Sequence, residues 1–116
     1  MKQELTKWLE TFKWDKMGTF TFKYNSSVDS ARRSWTSFIK QLKKYDPNIK
    51  FFMNIEGSRF KNTHIHALLS SSLAPRYIQG AWNRFRGISK VEAFKDNSGG
   101  VGYVTKHAYD FWDIDV

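Results

Sequence analysis

Cysteine is absent from this chain of 116 residues, which excludes disulfide frameworks and thiolate zinc sites. Any metal would have to be held by His, Asp, Glu or backbone oxygen. No apolar run approaches the length of a membrane span, and the N-terminal stretch MKQELTKWLETFKW has no signal-peptide core. A soluble intracellular protein with no membrane partner is expected. Internal repeats and low-complexity segments are also missing. Acidic residues are scarce: 11 Asp and Glu stand against 19 Lys and Arg, a formal net charge of +8. Such an imbalance favours a polyanionic partner, of which nucleic acid is the commonest. The basic residues are spread along the chain and do not line one amphipathic helix, so a membrane-surface role fits less well.

What is present is aromatic. Phe, Trp and Tyr make up 17% of the chain and hydrophobic residues 41%, a globular composition. The length predicts one domain over residues 1–116. Leu5, Trp8, Leu9 and Phe12 recur at helical spacing, predicting a helix over 3–14. MGTFTFKYN (17–25) alternates as a strand does. Ser27 and Asp29 cap a helix over 28–45 with the stripe Ala31, Trp35, Phe38, Ile39 and Leu42. IKFFMNIEG (49–57) and THIHALLSS (63–71) read as a strand pair, Pro75 opens a helix over 75–86, and ISKVEAFK (88–95) is a fourth strand. VGYVTKHAYDFW, from residue 101, reads as helical. The expected order is αβαββαβα. The expected fold class is α+β, a mainly antiparallel sheet of four or five strands with helices packed on one face and the other face open.

Strand parity then sorts the chemistry, because alternate side chains share a face. Phe51, Met53, Ile55, Ile65, Ala67 and Leu69 form apolar rows, while Asn54, Glu56, His64 and His66 occupy the opposite rows. Two imidazoles and a carboxylate on one face are a candidate set of three ligands for a divalent metal. Surface decoration is the plainer reading of an H-x-H pair, and Glu92 is a rival acidic ligand ranked below Glu56. On the helix after residue 100, at about 100° per residue, Tyr103 and Lys106 project together. A Tyr beside a cation is a candidate nucleophile, since positive charge favours the phenolate. Tyr109 falls elsewhere on the wheel.

HIH (64–66), YVTK (103–106) and the upstream strand TFTF (19–22) together resemble the HUH endonucleases, and among them the single-tyrosine replication initiators (Rep proteins) of small viruses and plasmids. The likeness spans residues 17 to 108, and its motifs fall in the family's order. It implies a ferredoxin- or RRM-like HUH fold, Mg²⁺ or Mn²⁺ held by His64, His66 and Glu56, Tyr103 as nucleophile and Lys106 as its helper. It further implies site-specific nicking and rejoining of single-stranded DNA through a 5′-phosphotyrosine intermediate, at a hairpin origin, in host cytoplasm where the source is viral. A separate helicase and a homodimer are left open as partners. Thr19 and Thr21, in the first motif's strand, would face DNA, and Arg59 and Lys61 with Arg32 and Arg33 lead the candidate phosphate contacts; Lys40, Lys43, Lys44, Arg76, Arg84 and Arg86 complete them. Three other readings compete: a single-strand transposase with similar motifs, a non-catalytic RRM-like nucleic-acid-binding module, and a metal-dependent phosphodiesterase that uses water.

Overall fold

A computed structural model describes residues 2–57, 63–93, 101–102, 104–105 and 111–116. The elements are α1 (Lys2–Leu9), β1 (Lys16–Thr21), α2 (Val28–Leu42), β2 (Lys50–Glu56), β3 (His64–Ser70), α3 (Pro75–Asn83), β4 (Ser89–Ala93) and β5 (Trp112–Asp115). The five strands form one antiparallel sheet in the order β4-β1-β3-β2-β5. Its centre, β1-α2-β2-β3-α3-β4, is the split βαβ arrangement in which each helix returns the chain across an intervening strand. The α+β class and the antiparallel sheet agree with the sequence pattern. No helix among the described residues is long and apolar enough to cross a membrane.

Several ends fall short of the predicted ones, for local reasons. The first helix stops at Leu9 because Trp14 Nε1 donates to the Leu9 carbonyl at 2.8 Å and Thr11 Oγ1 to that of Trp8 at 2.6 Å, capping the last turn. The second helix starts where expected, with the Ser27 hydroxyl accepting from Ser30 N at 3.1 Å. β5 is absent from the expected order. The sequence pattern puts residue 112 at the end of a helix, yet Trp112 to Asp115 pair with Asn54 to Phe51 of β2.

α2 and α3 cover one sheet face. Phe20 lies at the middle of that core, with ring centroids 5.2 Å from Trp35, 5.1 Å from Trp82 and 5.5 Å from Phe38. Each edge-to-face pair adds about 0.5–1.5 kcal/mol beyond its area burial. Trp82 also donates Nε1 to the Thr21 carbonyl at 2.9 Å, so α3 is pinned to the end of β1. Gly87 is required there: a Cβ would stand 2.2 Å from the Thr21 carbonyl oxygen. Gln79 of α3 accepts from Val91 N of the edge strand β4 at 2.6 Å, which satisfies an exposed ladder donor.

The second face, expected to be open, is covered in part. Phe52 and Leu68 are fully buried there with Leu9, Trp14, Val101 and Val104, and Met17, Leu5, Phe12 and Ile114 pack against them. The cover is α1 together with the helical residues 101, 102, 104 and 105. The hydroxyls of Thr6 and Thr105 join the two at 2.9 Å. The five-residue buried runs in β2 and β3 follow from this, since a strand covered on both sides buries consecutive residues.

Candidate functional site

The histidines lie on this second face at the margin of its cover, His66 buried and His64 half-buried. Antiparallel register sets His64 between Thr21 of β1 and Glu56 of β2. One step along, His66 stands between Thr19 and Asn54, and the same row runs outward to Lys90 of β4 and Trp112 of β5. Directly opposed residues share a face, so these side chains form two polar rows. The next row is apolar apart from Glu92 on the edge strand: Glu92, Met17, Leu68, Phe52 and Ile114 in strand order. The site therefore sits at a sharp boundary, with a packed half-core on one side.

Glu56 and His66 are in contact: Glu56 Oε2 lies 3.0 Å from His66 Nε2. The imidazole is nearly buried, and the carboxylate is about half exposed. His64 is half-buried, and its Nδ1 is a buried atom without a hydrogen-bond partner among the described residues. A buried ring nitrogen left unbonded costs free energy unless something accepts or coordinates it. In donor type the three side chains suit a hard or borderline divalent ion with open positions for oxygen ligands. Among the described residues, however, no three His, Cys, Asp or Glu side chains are gathered closely enough to hold one. The Glu56–His66 pair is assembled, and His64 stands opposite Glu56 in the strand register.

Asn54 links the site to the C-terminal segment. Its side-chain amide donates to the Val104 carbonyl, and Thr105 Oγ1 donates to the Val101 carbonyl at 2.8 Å within the same helical stretch. Residues 101, 102, 104 and 105 are thus seated on the sheet beside His66. Parity places Asn54 in the polar row but gives it no task. Its role depends on the position of Val104, which no strand pattern conveys. Lys90 and Trp112 also join the histidine row, one through β4 pairing and the other through a strand outside the expected order.

The other site residues named from sequence divide clearly. Thr19 and Thr21 face the histidines; Thr21 Oγ1 donates to the Ile88 carbonyl at 2.8 Å. Arg32 and Arg33 lie on the exposed side of α2, across the sheet from His64 and His66, so the fold does not bring them to this site. Arg86 caps the aromatic core, its guanidinium 5.4 Å from the Phe38 ring and 5.5 Å from that of Trp82, and burial lowers its pKa from the usual arginine value. Glu92 lies in the apolar row, ion-paired with Lys90 at 3.0 Å. It is separated from the histidines by β1. Arg59, Lys61, Tyr103, Lys106 and Tyr109 lie outside the described residues.

Neither a protein-family model nor a curated protein sequence matches the chain. Among solved structures, the crystal structure of the hypothetical protein ORF119 from Sulfolobus islandicus rod-shaped virus 1 is similar, with a TM-score of 0.63 over 94% of this chain and 95% of that one, at 16% sequence identity. A likeness at that identity concerns the fold, which the two chains share over nearly their full lengths.

Proposed function

We propose that the protein nicks and rejoins single-stranded DNA, as a replication initiator of the HUH type does. His64, His66 and Glu56 would hold a divalent metal, Mg²⁺ or Mn²⁺, and Tyr103 would be the nucleophile with Lys106 beside it. The observation that carries this reading is the Glu56–His66 contact at 3.0 Å, with His64 directly opposite Glu56 on the same face. The anchoring of Val104 by Asn54 adds support, because Val104 follows Tyr103 in the chain and is bonded to the residue that stands opposite His66. A net charge of +8 suits a polyanionic substrate.

When bound, the metal would polarise the scissile phosphate and offset charge building on its oxygens. The rest of the chemistry belongs to the chain. The Tyr103 phenolic oxygen attacks phosphorus as the P–O3′ bond breaks. The phenol proton leaves to solvent, and the departing 3′-oxygen gains one. The product is a 5′-phosphotyrosine ester, which a later 3′-OH can attack in the reverse sense, so rejoining needs no nucleotide cofactor. Thr19 and Thr21 would position the strand across the sheet.

The deciding experiment incubates the protein with labelled single-stranded DNA and Mn²⁺ and resolves it on a denaturing gel. A covalent band is expected from the native chain and none from Tyr103→Phe. An undiminished band in that variant would sink the assignment of the nucleophile. One observation favours a second reading, a non-catalytic nucleic-acid-binding module: the three candidate ligands are not gathered among the described residues. On that reading DNA is retained in native conditions and no covalent band forms.

A further inference from the structure

On the side of the molecule away from the histidines, α2 and α3 leave a groove between their exposed faces. It is lined by Lys44 and Tyr45 at the end of α2 and by Arg76, Tyr77, Gly80 and Arg84 along α3. The two tyrosine rings meet at 5.6 Å and 67°, although Tyr45 is 64% and Tyr77 41% exposed. Phe85, 72% exposed, lines a separate pocket with Arg84 and Arg86, the Arg84 guanidinium 5.2 Å from its ring centroid. Among the described residues none of Lys44, Arg76 or Arg84 takes part in an ion pair, while Lys16, Lys43 and Lys90 each do.

Spacing along α3 sets the pattern. Arg76, Gly80 and Arg84 succeed one another at four-residue steps and lie along one line of the helix. Gly80 in the middle leaves the groove floor open, since a Cβ there would meet nothing within 4 Å. Tyr77 sits on the adjacent line. Single exposed aromatics are ordinary on a protein surface. Two of them in mutual contact, set in one groove among three cations that make no ion pair among the described residues, are not required by packing, because the core beneath is already filled by Trp35, Phe38 and Trp82.

We propose that this groove is a binding track for single-stranded nucleic acid, separate from the histidine site and independent of it. Unpaired bases stack on Tyr45 and Tyr77, and the phosphates beside them meet Lys44, Arg76 and Arg84. A single strand is specified because stacking requires bases free of a partner; duplex bases are closed to these rings. The inference does not depend on nicking activity. It gives the chain a means of holding a strand on the face opposite the one where a strand would be cut.

The test is fluorescence anisotropy of a labelled oligothymidine about 15 nucleotides long, in EDTA, with His64→Ala/His66→Ala protein so that the sheet site is disabled. Tyr45→Ala/Tyr77→Ala is expected to weaken binding at least tenfold, as loss of base stacking on two rings implies. Arg76→Gln/Arg84→Gln should reduce the slope of log K against log salt by about 1.4. Gly80→Glu, which adds an acid to the open floor, should also weaken binding. Unchanged melting temperatures would show that each variant folds. Affinity and salt slope unaltered in all three variants would overturn the proposal, as would equal displacement by duplex of the same length or by polyglutamate. Loss of binding in these variants, together with no covalent adduct from the native chain in Mn²⁺, would retain this track and dispose of the nicking function.

Discussion

Asn54 stands opposite His66 in the β2–β3 register and donates its side-chain amide to the carbonyl of Val104. One fully buried residue thus joins the histidine row to the segment that flanks Tyr103. Replacing Asn54 with Leu removes this side-chain hydrogen bond from a buried position, a cost of about 1–3 kcal/mol. Urea unfolding should show that loss. Covalent adduct formation should fall by more than the folded fraction does, because Val104 loses its tether to the sheet. A stability loss with undiminished adduct per folded molecule would remove Asn54 from the functional account.

The Glu56–His66 pair gives a prediction about metal. Titration calorimetry with Mn²⁺ should show native binding that weakens by at least roughly 10-fold in Glu56→Gln, since loss of a direct ligand costs no less than loss of a carboxylate that only orients a ligating imidazole. His66→Ala should abolish it, and Glu92→Gln should leave it intact, because Glu92 lies across β1 in the apolar row. Equal effects of the two glutamates would contradict the ligand assignment.

Asp46 ties two loops at the other end of the sheet. It is buried, which works to raise its pKa, but it accepts from Ser71 Oγ at 2.8 Å, Ser72 N at 3.0 Å and Asn48 N at 3.2 Å, and these bonds hold the pKa below the usual carboxylate value. A depressed carboxylate contributes stability that is present above its unfolded pKa, near 3.8, and is lost as pH falls through the folded one. Urea unfolding at pH 7 and at pH 3 should therefore show Asp46→Asn less stable by on the order of 1 kcal/mol at pH 7. The difference should shrink at pH 3. A difference that persists there would mean the ionised carboxylate is not the source.

Two glycines should respond in opposite ways. Gly87→Ala forces a Cβ to within 2.2 Å of the Thr21 carbonyl oxygen and 2.8 Å of Phe22 Cα, both backbone atoms with little room to move, and a loss of about 2 kcal/mol or more is expected. Gly80→Ala sits in open space inside α3 and should gain about 0.5–1 kcal/mol through helix propensity. Thermal unfolding of the pair checks both signs at once.

Elements with strong periodicity are legible in the amino-acid order. The α2 stripe Ala31, Trp35, Phe38, Ile39 and Leu42 is buried as its spacing requires. β5 is not legible, because Trp112–Asp115 is short, carries two aspartates and follows a stretch with helical pattern; only the free edge of β2 makes it a strand. The covered part of the second face is harder to see as well, although Phe51-Phe52-Met53 and Ala67-Leu68-Leu69 are the consecutive apolar runs expected of strands buried on both sides. Simple alternation gives Phe52 and Leu68 no neighbours.

Side-chain alternation is a local property of an extended chain, so the amino-acid order alone determined that Glu56 falls in step with Asn54, and His64 with His66. Composition likewise determined the cationic character, which does not depend on how the chain folds. Tertiary structure decided everything that rests on long-range pairing. It put Glu56 in contact with His66 and Thr19 and Thr21 beside the histidines, and it seated Val104 on Asn54. It also sent Arg32 and Arg33 to the opposite side of the molecule, because α2 must bury its aromatic stripe against the other sheet face and so turns its charges away from the histidines.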